Sequence, residues 1–187
     1  MRRSVVAFIV SVLVVAFGLA SASRVGLAQE ATPSAEAPIL VIELAPGVTA
    51  EIFAGAPSDL APGQTLYLAR FTFQPGAEIF PHCHPGTTVL GVVSCALGWT
   101  LEEGTAQVIR GAAAGATEPT ETLTEAGAEV VLNPGDAIYY EDDVVHTARG
   151  ASDQPAVVPG TLLLESGAPL LIPAEEMALD MSCAPAG

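Results

Sequence analysis

From residue 39 onward the apolar positions fall into short runs, each broken within a few positions by turn residues. The runs are Ile39 to Leu44, Val48 to Phe53, Thr65 to Phe73, Ile79 to His84, Thr88 to Val93, Gly98 to Leu101, Ala106 to Arg110, Val130 to Leu132, Ala137 to Tyr140, Val144 to Ala148, Thr161 to Leu164 and Pro169 to Ile172. All have strand length, and none keeps a helical period long enough to make a helix. The breaks carry turn chemistry: Ala-Pro-Gly at 45–47 and 61–63, Gln-Pro-Gly at 74–76 and Asn-Pro-Gly-Asp at 133–136. Pro presets φ in such turns, and Gly takes the left-handed positions. Short strands punctuated this regularly predict an all-β protein, a sandwich or a single small barrel. The stretch 111–128, rich in Gly, Ala and Glu, reads as a solvated loop with one extended piece at Glu121 to Thr124.

The first residues follow a different pattern. Arg2 and Arg3 precede an apolar or small-residue run from Val5 to Ala20, which is short of the roughly 20 residues of a membrane span and suits a secretory signal peptide. Ala20-Ser21-Ala22 and Gly26-Leu27-Ala28 each offer a small-residue cleavage site, so the cut is expected after Ala22 or after Ala28. An uncleaved anchor is the other reading. The expected organisation is a signal peptide over 1–28, a Pro- and Ala-rich linker over 29–37, a β-barrel over 38–172 and a C-terminal tail over 173–187. The protein is then exported: extracellular, periplasmic or cell-surface.

Charge narrows the partners. The chain has 6 basic against 21 acidic residues and a net charge of −15; every basic residue is an Arg, and three of them, Arg2, Arg3 and Arg24, precede residue 28. No basic cluster exists to neutralise phosphates or an anionic lipid surface, so nucleic acid is excluded as a partner, as is a membrane once the signal is removed. A small-molecule ligand remains, and a homodimer is open.

Export also places Cys83, Cys95 and Cys183 in an oxidising compartment, where three cysteines form at most one internal disulfide. Strand alternation turns the Cys83 thiol away from its two histidine neighbours. The expected pair is Cys95 with Cys183, which would tie down the C-terminal tail; unpaired buried thiols are the alternative.

All three histidines of the chain, His82, His84 and His146, fall in strand-like runs. Side chains two apart on a strand share a face, so His82 and His84 can approach one ion together. A third imidazole from a distant strand completes a set held by rigid sheet elements. The cofactor expected is one divalent transition metal.

These residues stand in a wider pattern that resembles the two motifs of the cupin superfamily. Gly76, five residues, His82-Cys83-His84, three residues, Thr88, six residues and Cys95 follow the spacing of the first motif. Gly135, five residues, Glu141-Asp142-Asp143, two residues, His146, three residues and Gly150 follow that of the second. Residue types depart from the pattern at Thr88, where the family has a metal-binding Glu, at Cys95, where it has Gly, and at Glu141, Asp143 and Gly150, where it has Pro, Gly and Asn. The resemblance implies a single jelly-roll barrel with one metal on His82, His84 and His146.

Three neutral imidazoles leave the +2 charge of such an ion uncompensated, which favours anionic ligands. Imidazole suits Fe, Zn, Mn, Ni and Cu, so the donors do not select the metal. Supplementary candidates are Glu78, whose parity matches His82 on a regular strand, and the hydroxyls of Thr88 and Tyr140. Trp99, Phe71 and Phe73 read as core. With no Lys and no fourth His there is no dedicated general base, so redox or Lewis-acid chemistry is preferred. The expected function is an exported metal-binding protein acting as a dioxygenase-like oxidoreductase or isomerase of a small anionic metabolite. A non-catalytic metal or ligand binding module is the alternative.

Overall fold

A computed structural model describes residues 40–177 and Cys183. The expected signal peptide, the linker and most of the tail lie outside the described residues. The described chain is almost entirely strands: β1 (Leu40–Ala45), β2 (Val48–Pro57), β3 (Gln64–Phe73), β4 (Glu78–Cys83), β5 (Gly86–Gly91), β6 (Leu97–Glu103), β7 (Ala106–Ile109), β8 (Glu121–Leu123), β9 (Glu129–Leu132), β10 (Ala137–Tyr140), β11 (Val145–Gly150), β12 (Ala156–Glu165) and β13 (Ile172–Pro173), followed by one helical turn, α1 (Ala174–Met177).

Two antiparallel sheets result, one ordered β1-β2-β3-β12-β5-β10-β7-β8 and the other β13-β4-β11-β6-β9. Strands far apart in sequence interleave, β12 between β3 and β5 and β11 between β4 and β6, which is jelly-roll connectivity. The sheets face each other across one apolar core and keep free edges, so the barrel is not closed by a continuous ring of hydrogen bonds. Period-two burial produces that core. On β12, Ala156, Val158, Gly160, Leu162 and Leu164 are buried while the residues between them are not, and on β6 Leu97, Trp99 and Leu101 point inward. Each such Leu is worth about 1.5–3 kcal/mol of burial.

The strand β12 begins at Ala156, earlier than the expected Thr161, and runs through Pro159 and Gly160 without interruption. Pro159 is tolerated because β12 pairs with β3 along its whole length but with β5 only from Gly160 onward, leaving one side of the strand open at the proline. At Gly160 a Cβ would lie 2.4 Å from the Leu90 side chain, which would have to shift to admit it. In the 111–128 stretch, the extended piece forms β8, which pairs with β7 and buries Leu123.

The disulfide joins Cys83 to Cys183, with Cα atoms 6.2 Å apart, and corrects the expected Cys95–Cys183 pair. Alternation does turn Cys83 away from the histidines. That outer face is where the C-terminal segment docks: Ile172 pairs with Cys83 across β13 and β4, and Cys83, Val145, Ile172 and Cys183 form a second small buried cluster. Cys95 is a free, half-buried thiol between β5 and β6. Its φ of 59° is the only positive value at a non-glycine among the described residues. The left-handed turn expected of a Gly at this motif position is therefore present, made by a Cys.

Candidate metal centre

Neighbouring strands of the smaller sheet bring the three histidines together. His146 on β11 is the direct cross-strand partner of His82 on β4, and His84 follows one residue beyond the end of β4. One nitrogen from each ring can be chosen so that all three lie within 4.8 Å of one another. The rings are 3%, 3% and 2% exposed for His82, His84 and His146.

Backbone carbonyls set two of the tautomers. His82 Nδ1 is 2.8 Å from the Phe80 carbonyl and His84 Nδ1 is 2.7 Å from the Leu170 carbonyl. A carbonyl only accepts, so Nδ1 carries the proton in both rings and Nε2 is left with its lone pair free. His146 is held differently. Its ring stacks on Trp99 with centroids 4.9 Å apart and planes 18° from parallel, its Nε2 lies 3.3 Å from the Tyr140 hydroxyl, and its buried Nδ1 has no hydrogen-bond partner.

Burial keeps all three rings neutral. Desolvation lowers His82 to about 4, with the Phe80 carbonyl opposing. Desolvation, reinforced by His82, lowers His84 to about 3, and His146 is pushed well below its ordinary value by burial and by both other histidines. Burial also raises the Tyr140 hydroxyl, which stays protonated.

The supplementary candidates divide. Tyr140 is fully buried beside the histidines. Thr88 is its cross-strand neighbour on β5, fully buried, with a hydroxyl that finds no partner. Glu78 is exposed and outside the cluster. The cause is a bulge: His146 pairs with His82, yet Ala148 pairs with Ile79, so β4 carries one extra residue and its parity flips below Phe80–Pro81. Ile79 takes the inward position opposite Ala148 that a regular strand would have given Phe80, and Glu78 is turned outward. The acidic run at 141–143 is a surface turn, with Glu141 accepting hydrogen bonds from Thr87 and Tyr139.

A cavity of about 320 Å³, counted with its open mouth, lies against the histidines and Tyr140. Its remaining wall includes Phe71, Phe73, Ile79 and Leu90, with the half-buried Leu44 and Leu171 among its lining. Phe71 and Phe73, expected as plain core, therefore line the site, and so does Leu171. Their inward parity on β3 was a usable signal for the two phenylalanines. Nothing local in the sequence marked Leu171 or the Leu170 carbonyl.

The donor set fits a divalent transition metal. Three neutral nitrogens converge from one side with no counter-charge among them, and ligands about 2.1 Å from a shared ion lie about 3.0–3.4 Å from each other, so the rings must draw in by about an ångström.

No family model matches the chain, and no curated protein matches it. Among solved structures it is similar to an RmlC-like cupin from Shewanella frigidimarina, with 16% identity, 69% of this chain and 86% of that chain covered and a TM-score of 0.45. It is also similar to KdgF from Halomonas sp. (21% identity, 66% and 84% covered, TM-score 0.44) and to a cupin 2 domain-containing protein from Halorhodospira halophila (16%, 71% and 75%, 0.44). In its paired histidine motifs, its two-sheet jelly roll and its three converging imidazoles, this chain resembles the cupin superfamily.

Proposed function

We propose that this protein is exported and holds one divalent transition metal on His82, His84 and His146, using it as an oxygenase or isomerase of a small anionic metabolite. The observation that carries the reading is the convergence of three buried, neutral imidazoles within 4.8 Å, two of them with Nδ1–H tied to backbone carbonyls. A bound ion of this kind supplies Lewis acidity, and redox chemistry if it is iron or copper. The chain's own residues do the rest. His82 and His84 present Nε2 in fixed directions, Tyr140 offers a neutral hydroxyl beside His146, and the apolar wall excludes water.

Metal analysis of the purified protein tests this. About one equivalent is expected in the parent, and His82→Ala, His84→Ala and His146→Ala should each lose most of it, whereas Glu78→Gln should retain it because the bulge turns that residue outward. Unchanged metal in all three alanine variants rules the site out. A second reading, a non-catalytic metal or ligand binder, is favoured by one observation: among the described residues, apart from the three histidines and Tyr140, no ionisable side chain lines the cavity. Full metal loading without oxygen uptake or isomerisation across small anions would select it.

A further inference from the structure

The cavity wall carries information about the ligand beyond its charge. Next to the three imidazoles and the Tyr140 hydroxyl the lining is hydrocarbon, with Phe71, Phe73 and Leu90 on one sheet and Ile79 on the other; among the described residues, no Lys, Arg, Asp, Glu, Asn, Gln or Ser lines it. The polar groups are gathered at the histidine end. Thr88, whose buried hydroxyl lacks a partner, sits across from Tyr140 on the adjacent strand. A ligand is thus offered one polar end and one apolar body, an arrangement typical of small-molecule sites.

Resting on the metal reading above, we infer that the ligand is a compact monoanion, with a single oxygen or sulfur anion that meets the ion and the Tyr140 hydroxyl and an apolar remainder held by Phe71, Phe73 and Leu90.

Two effects compete over a second charge. An ion still carrying net positive charge attracts it, but over the length of the ligand that attraction is modest. Burying that charge against phenyl and leucine side chains, with no donor to compensate, costs more. Desolvation wins. Hydroxyls suffer in the same way if unpaired, which disfavours sugars. Each added methylene, in contrast, gains about 0.8 kcal/mol, close to fourfold in affinity.

The test is a ligand series on cobalt(II)-loaded protein, read by the visible cobalt spectrum and by calorimetry, so that no turnover is needed. Acetate, propionate and butyrate should tighten by about three- to fourfold per methylene. Succinate, which has the same four-carbon length as butyrate, should bind at least tenfold more weakly, and ribose should not compete. In Leu90→Asn, an amide enters the wall and the butyrate-to-succinate ratio should shrink. If that variant does not fold, the parent series still decides the question. Stoichiometric cobalt with succinate or oxalate binding as tightly as butyrate, or with no dependence on chain length, overturns the inference while leaving the metal centre standing. Failure to bind cobalt at all overturns both.

Discussion

The disulfide between Cys83 and Cys183 closes a loop with a sequence separation of 100, and Cys183→Ala opens it. In the chain-entropy description, a cross-link over about 100 residues removes roughly 4.7 kcal/mol of freedom from the unfolded chain. Truncating the Cys183 side chain, 2% exposed against Val145 and Ile172, adds a smaller packing loss. For a protein of this size each kcal/mol moves the melting temperature by about 2–4 °C, so the variant should melt roughly 10–20 °C below the parent. Scanning fluorimetry of the metal-free protein, with and without reductant, separates the two contributions, because reduction opens the loop without removing an atom from the cluster. Reduced parent and Cys183→Ala should then melt within a few degrees of each other. If an intact disulfide is present by mass and neither perturbation lowers the melting temperature by more than about 3 °C, the loop-closure reasoning is wrong. If Cys95→Ala causes the loss instead, the pairing itself is wrong.

Acid should destabilise the metal-free protein well before its carboxylates protonate. The unfolded histidines take up protons from about pH 6.5 downward, while His82 and His84 in the fold resist until about 4 and 3. The unfolded state thus binds more protons in that window, and stability falls with pH. By pH 5 the loss is about 2 kcal/mol per imidazole; a urea midpoint that stays flat between pH 7 and 5 would contradict the burial. At position 95 the left-handed backbone predicts that Cys95→Gly lies within about 1 kcal/mol of the parent, whereas Cys95→Val, β-branched at positive φ, loses more than about 1 kcal/mol in urea denaturation. Equal stabilities for Gly and Val would show that this turn is unstrained.

Much of the fold was readable because each strand is half buried and its alternation survives in the sequence, as at Leu97, Trp99 and Leu101. The histidine pair was readable for the same reason: a spacing of two places both rings on one face wherever the strand runs regularly. What alternation could not show was where the strand stops being regular. The extra residue at Phe80–Pro81 sits immediately before His82, enough to turn Glu78 outward without disturbing the ligands. The disulfide was misassigned by a different route. The outward direction of Cys83 was read correctly, but which segment covers that face depends on a pairing about ninety residues away, Ile172 with Cys83, and no local pattern encodes it. The same holds for the Leu170 carbonyl that orients His84.

Trp99 is the only tryptophan in the chain, and its ring lies flat against His146. Its intrinsic emission therefore originates in van der Waals contact with one of the three candidate ligands. An open-shell ion such as Cu(II) or Ni(II) at that position should extinguish it, and closed-shell Zn(II) should leave most of it in place. The protein thus carries a built-in optical reporter of its own centre, able to follow the arrival, loss and exchange of ions in real time without a label, and able to sort them by electronic configuration.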